Sequence, residues 1–293
     1  RADARKMHEQ ADLAAIGDDA EFSNRDPKHW RALRDATVTS LRAAGATLIA
    51  PSSSALANEL RLAPELTELP KRVIPHGLAP WPEGAPTQAH AQARKRPRLL
   101  VPGRVRRGKG AELLAASLAK LREHADLYLI GAGADAHALF GERGVHIVLD
   151  YQRDDLPALV ARIANDAALL LPTVAETFSY TLSELRSLGV PVIATRVGAL
   201  AERIRDGIDG FLVDPDAHAV TARVAALLAG RNALDRVRST AGTESESTLT
   251  AMANAYADVL RLGTRPAARY PLAETDVASL RDAARAATIE RLR

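Results

Sequence analysis

The stretch RLLVPGRVRRGKGAELLAASLAKLREHADLYLIG, residues 98–131, decides the fold. Two apolar runs, RLLVPG and DLYLIG, flank AELLAASLAKL, whose leucines recur at helical intervals. The runs are apolar at consecutive positions rather than alternating, as a strand covered on both faces requires. The rhythm continues downstream, where VHIVLD, AALLLPT and VPVIAT are three more apolar runs separated by helical patterns. Five buried strands alternating with helices predict an α/β fold, a Rossmann-like doubly wound parallel sheet over residues 98–230.

Working outward, the flanks read differently. Residues 1–25 are polar and weakly patterned, and DPKHWRALRDATVTSLRAAG then reads as a helix with Asp26 as N-cap, Pro27 at its first position and Gly45 as its stop. TLIA is a short strand ended by Pro51, SSSALANELRL a helix on a serine cap, and RVIP a further short strand. Residues 80–97, rich in proline, alanine and charge, read as a linker. After the sheet, AGTESESTLTAMANAYADVLRL predicts a late helix behind a hydroxyl-rich cap, and ETDVASLRDAARAATIERL another. The organisation expected is an incomplete N-terminal segment (1–71), a hinge and linker (72–97), the sheet domain (98–230) and C-terminal helices (231–293). No internal repeat is visible.

Composition narrows the class. Of 293 residues 47% are apolar and 26% charged, enough to bury a core and solvate a surface. Six lysines stand against thirty-three arginines, and arginine suits two-pronged contact with phosphate or carboxylate. A net charge of +3 does not argue for nucleic acid. The absence of cysteine excludes disulfides and thiolate metal sites. No apolar run approaches the roughly 20 residues of a membrane span, and the first residues carry no secretory pattern, so a cytoplasmic protein is expected.

In an open parallel sheet, ligands sit beyond the carboxyl ends of the strands. GRVRRGKG, residues 103–110, follows a strand there and opens a helix. Gly103, Gly108 and Lys109 fit the nucleotide phosphate loop G-x-x-x-x-G-K-[ST], but Gly110 lacks the hydroxyl that ligates magnesium. A P-loop-like nucleotidase is therefore a minor alternative to a metal-free anion site in which Arg104 and Lys109 reach a phosphate. GAGADA, residues 131–136, resembles a dinucleotide fingerprint with Asp150 at the spacing of a ribose-binding acid, yet reads better as a tight strand-to-helix turn. DPD, residues 214–216, has the look of a D-x-D metal pattern, and the preferred reading is a helix cap at Asp214 with Pro215 in first position.

ETFSYTLSE, residues 176–184, sets two carboxylates eight positions apart. Thr181 and Glu184 satisfy a capping-box pattern, which would make Glu184 structural. The stretch lies where a strand passes into a helix, so free N–H groups around Phe178, Ser179 and Tyr180 are expected to face an anion. A glutamate beside such a site is favourable only if it holds something neutral, and sugar hydroxyls are the obvious donors to an ionised carboxylate. With a helix starting just after Glu176, the pair would stand on the order of 10 Å apart, a span suited to a nucleoside diphosphate-sugar.

Taken together, PTVAETFSYTLSELRSLGVPVIATRVGALAERIRDGIDGFLVDP resembles the donor half of retaining GT-B glycosyltransferases of family 4, the group 1 transferases. Their E-x7-E motif matches Glu176 and Glu184, followed in order by SLGVPV, GALAE and DGIDGFLV. Upstream, VPGRVRRGKG and the hinge VIPHGL extend the resemblance to about residues 72–230. The resemblance implies transfer with retention from a nucleotide-diphosphate-sugar, with no cofactor and no metal. Arg104 and Lys109, with Gly103 in their loop, would neutralise the diphosphate, and backbone around Thr177, Phe178, Ser179 and Tyr180 would bind it. Glu176 would contact the transferred sugar, Glu184 the ribose, and Asp150 and Tyr151 would lie near the base. Catalysis would rest on Glu176, Arg104 and Lys109.

The chain departs from that family at its start. Residues 1–71 hold only TLIAPSSSALANELRL as a recognisable last strand and helix of an acceptor-side domain, and His76 replaces the hinge asparagine. The helix AMANAYADVL resembles the carboxy-terminal helix that crosses back to the first domain. The expectation is the donor-binding portion of a longer enzyme, its partners being the nucleotide-sugar, a missing N-terminal Rossmann-like domain of the same protein and an unidentified glycan or other acceptor. The alternative from another class is a non-catalytic nucleotide-binding module of a multidomain assembly.

Overall fold

The computed structural model describes residues 27–86, 95–106, 108–240 and 247–260. Asp26 and the segment ETDVASLRDAARAATIERL lie outside the described residues. The elements in chain order are α1 (Pro27–Ala43), β1 (Leu48–Ala50), α2 (Ser53–Leu62), β2 (Lys71–Val73), β3 (Arg98–Pro102), α3 (Ala111–His124), β4 (Asp126–Ile130) and β5 (Val145–Val148). They continue with α4 (Leu156–Ile163), β6 (Ala167–Leu170), α5 (Tyr180–Ser187), β7 (Val192–Thr195), α6 (Gly198–Arg203), β8 (Phe211–Val213), α7 (Ala217–Ala229), α8 (Asn232–Thr240) and α9 (Leu249–Leu260).

The main sheet has six parallel strands in the order β5-β4-β3-β6-β7-β8. The chain winds outward from β3 to β5, then returns to β6 on the other side of β3 and winds outward again. Its reversal point is the crevice between the carboxyl ends of β3 and β6, where such sheets hold ligands. The sixth strand escapes the five apolar runs read from the sequence, because β8 is three residues long and follows a turn rather than a helix.

Alternation along each strand fills two cores. Leu99 and Val101 join Leu127, Leu129, Ala167 and Leu169 under the leucines of α3 and the valines of α7. Leu100, Ile130, Ala168 and Leu170 face the other way, against α4, α5 and α6. Both faces are thus covered, as the consecutive apolar residues require. Each fully buried leucine contributes roughly 1.5–3 kcal/mol.

Before this sheet stands a small layer. β1 pairs in parallel with β2, and Val38 of α1 packs with Ala63, Leu66 and Leu69 beneath them. Ser52 caps α2 by accepting from the Ala55 N–H at 3.1 Å, and its own hydroxyl donates to the Thr177 carbonyl at 2.7 Å. Glu202, at the end of α6, accepts from the N–H groups of Ser53 and Ser54 at 3.0 and 2.8 Å. The hinge is closely packed as well: a Cβ on Gly77 would lie 2.4 Å from the Thr248 carbonyl oxygen. The chain divides after Ala253 into two compact units. Of the second, the described residues 254–260 are the end of α9. Among the described residues no helix is long and apolar enough to cross a membrane.

Candidate functional site

At the reversal point the loop from Gly103 to Gly110 leaves β3 and turns into α3. Gly110 caps α3 with φ 97°, and a Cβ there would lie 2.1 Å from the Leu171 carbonyl oxygen. That approach explains why no hydroxyl-bearing residue stands at this position: neither the backbone conformation nor the space admits a side chain. Gly108 ties the loop to its neighbour, its carbonyl accepting from the Thr173 and Val174 N–H groups at 3.1 and 3.4 Å. Lys109, exposed at the rim, places Nζ 2.5 Å from Oε1 of Glu176. The Arg104 side chain crosses Gly133, where a Cβ would come within 3.0 Å of Nη1. GAGADA is accordingly a tight turn into a single 3-10 segment, Ala134–Leu139.

The loop after β6 supplies the opposite wall. Gly198 packs on the backbone of Glu176, a Cβ there lying 2.6 Å from its carbonyl oxygen, and the Ala199 N–H donates to that oxygen at 2.9 Å. Held in this way, the Glu176 carbonyl is engaged by α6. α5 begins at Tyr180 rather than just after Glu176, and a continuous helical rise does not set the separation of the two glutamates. The cap is also different from the one expected. Ser179, at φ 72° and ψ 85°, accepts from the Leu182 N–H at 3.4 Å, while Thr181 lies inside the first turn. Among the described residues no hydrogen bond engages the N–H groups of Phe178, Ser179 or Tyr180.

A cavity of about 380 Å³ lies between these loops, lined by Gly103, Arg104, Lys109, Glu176 and the Thr177–Thr181 turn. His76 of the hinge also lines it, stacked on Tyr180 with ring centroids 5.1 Å apart and meeting Phe178 edge-on at 5.0 Å. A second cavity, of about 250 Å³, shares Gly103 and Arg104 and adds Gly131, Asp150, Tyr151, Arg153 and Glu184. The structure thus brings every expected site residue to one end of the sheet, Glu176 in one cavity and Glu184 in the other.

Glu184 makes no capping box. Its carboxylate accepts from the Arg153 Nε at 3.2 Å, and burial raises its pKa above the ordinary carboxylate value despite the opposing Arg153 charge. Burial, followed by the charges of Glu184 and Asp150, pushes Tyr151 up to about 12. Glu202 shows the reverse balance: burial raises it, and the hydrogen bonds from Ser54 and Ser53 outweigh that, leaving it lowered.

Sequence reasoning missed Arg153, Trp81 and Arg203. Arg153 lies 4.2 Å over the Trp81 ring, donates to the Ala79 carbonyl at 2.7 Å and meets Glu184 with the same guanidinium. Trp81, placed in a linker by its composition, packs on the core and donates to the Ser187 hydroxyl at 2.9 Å. DPD is indeed a cap, but the cap is Asp216 rather than Asp214, accepting from the Ala219 N–H at 2.9 Å with α7 starting two residues after Pro215. Asp214 instead faces Arg196 at 3.9 Å. Among the described residues no group of three or more histidine, aspartate or glutamate side chains is placed to hold a metal ion.

Residues 96–230 match the family described as Glycosyl transferases group 1. D-inositol 3-phosphate glycosyltransferase of Arthrobacter sp. (strain FB24) is 32% identical over 127 residues, 40% of this chain and 30% of that protein. Sucrose synthase of Acidithiobacillus caldus is 34% identical over 164 residues, 47% of this chain and 21% of that one. The chain therefore spans less than a third of the length of these two relatives. In fold it is similar to Anabaena HepE, solved in complex with UDP and glucose, with a TM-score of 0.59 at 19% identity, covering 81% of this chain and 69% of that one.

Proposed function

We propose, from the match of residues 96–230 to the group 1 glycosyltransferases, that the chain binds a nucleoside diphosphate-sugar at the β3/β6 crevice for transfer of the sugar to an acceptor. The observation that carries this reading is the set of N–H groups at Phe178, Ser179 and Tyr180 in the same cavity wall as Arg104 and Lys109. Such a group of donors at a helix start favours a diphosphate. Arg104 and Lys109 supply the compensating charge, Glu176 accepts from hydroxyls of the transferred sugar, Glu184 from the ribose, and Asp150 and Tyr151 border the base.

Departure of the nucleoside diphosphate builds negative charge where those cations and N–H groups converge, so stabilising the leaving group is the main catalytic task. Lys109 bridges the two functions, paired with Glu176 and lining the same cavity as the Thr177–Thr181 turn. We propose transfer with retention and without a metal. The second aspartate of DPD is occupied as a helix cap, and the Gly110 position has no room for a magnesium-ligating hydroxyl. Transfer is further proposed to need an acceptor-binding domain beyond the described residues.

Calorimetric titration with UDP-, GDP- and ADP-glucose tests the assignment. One of the three is expected to bind, and Lys109→Ala to weaken it by roughly 10- to 100-fold, the loss of one charge-assisted contact. Glu184→Ala is expected to weaken the same ligand and its parent nucleoside alike. If none of the three binds, or both variants bind like the parent protein, the reading fails.

A further inference from the structure

One arginine that does not line the cavity donates to the backbone of its wall. Ser179 is one of two non-glycine residues with positive φ among the described residues, and it sits at the start of α5 between the N–H groups assigned above to phosphate. A serine does not hold this conformation cheaply, and it persists where surrounding contacts over-determine it. Those contacts come from Arg203, the last residue of α6. Its Nη1 donates to the Phe178 carbonyl at 2.7 Å and to the Ser179 carbonyl at 3.0 Å, and its Nη2 donates to the Ser183 hydroxyl at 2.8 Å. Its guanidinium carbon lies 3.9 Å from the centroid of the Phe178 ring.

The two carbonyls belong to the peptide units that carry the Ser179 and Tyr180 N–H groups. In a planar peptide the N–H points opposite to the C=O, so a guanidinium that draws both carbonyls to one side turns both N–H groups to the other. We propose that Arg203 is a positioning residue for the diphosphate, fixing the Phe178–Ser179–Tyr180 turn with its donors aimed into the cavity. Resting on the donor reading above, it adds a residue that touches no ligand. The strain at Ser179 gives the clamp its work: with glycine there, the positive φ would carry no steric penalty and the turn would depend less on Arg203.

The test separates this role from general stability. The best-binding member of the series UDP, GDP and ADP is titrated alongside its parent nucleoside into the parent protein, Arg203→Met, Ser179→Gly and the double variant. Methionine keeps the packing on Phe178 and removes the donors. Arg203→Met is expected to weaken the diphosphate about tenfold or more and the nucleoside less than about twofold. In the Ser179→Gly background the same change is expected to cost less than about threefold. Equal loss of diphosphate and nucleoside, or no relief by glycine, overturns the proposal. Arg203→Lys, which cannot span both carbonyls, replaces the methionine variant if that one does not fold, with the same expectations. Backbone chemical shifts of Ser179 give a reading without ligand: they are expected to leave the left-handed range when Arg203 is replaced, and their persistence there overturns the clamp. A parent protein that binds no nucleoside diphosphate sinks the donor assignment instead, and the shifts still decide the clamp.

Discussion

At the amino ends of β3, β4 and β5 a cavity of about 690 Å³ is bordered by Arg96, Arg122, Arg143 and His146. It is larger than either cavity at the carboxyl ends, of about 380 and 250 Å³, and richer in arginine. Yet the cations there are largely spent on the fold. Arg96 holds Asp126 at 2.6 Å and donates to the carbonyls of Ala125 and Arg122, closing the C-terminus of α3, while Arg122 pairs with Glu142. At the carboxyl ends the N–H groups of Phe178, Ser179 and Tyr180 engage nothing among the described residues, and Lys109 is tied to a glutamate of the same cavity. Charge and volume do not distinguish the two ends. Unspent donors at a helix start do.

The largest expected effect tests whether the carboxyl-end geometry is forced. Gly110→Ala places a Cβ 2.1 Å from the Leu171 carbonyl oxygen in a backbone conformation with φ 97°. Because the obstacle is backbone rather than a movable side chain, the loss of unfolding free energy is expected to be about 4 kcal/mol or more, measured by urea denaturation. A variant as stable as the parent would mean that the glycine loop is a tolerated accident, and the contrast between the ends would lose its basis.

How much of this was legible beforehand follows from where each signal lies in the chain. The β3–α3–β4 frame, the serine cap at Ser52 and the glycine loop are local patterns, each confined to a few neighbouring residues. Ser179 gives no such signal, since serine rarely adopts a positive φ unaided. Arg203 reaches Phe178 and Ser179 across 25 and 24 positions, and Arg153 reaches Glu184 across 31 and Ala79 across 74. Nothing local marks those arginines among thirty-three of their kind. At DPD the sequence offers two aspartates, and Pro215 favours the wrong one, because the helix starts beyond the proline rather than on it.

A smaller effect sharpens the comparison from the amino end. Arg96→Ala strands the partly buried Asp126 carboxylate and two carbonyls at the end of α3. Since Arg96 is itself part-exposed, the expected cost is about 1–2 kcal/mol of stability, with affinity for the nucleoside diphosphate unchanged. Loss of affinity without loss of stability would assign the amino-end cavity a binding role and erase the distinction.

The smallest effect concerns pH, and it makes one carboxyl group act in two opposite directions. Burial raises the pKa of Glu184 in the folded protein above its unfolded value, with Arg153 opposing in part. The folded state therefore holds that proton more tightly, and the stability this contributes is present below the unfolded value and lost as pH rises through the folded one. On the proposed assignment ribose hydroxyls donate to the ionised form, so affinity is expected to run the other way, strengthening as pH rises through the same window. Thermal unfolding and nucleoside titration across that window are expected to show the two opposed trends in the parent protein, and Glu184→Gln to flatten both. If Glu184→Gln leaves the pH dependence of nucleoside binding intact, the ribose is held by another group, and the smaller carboxyl-end cavity loses its assigned ligand while the diphosphate site at Phe178–Tyr180 stands.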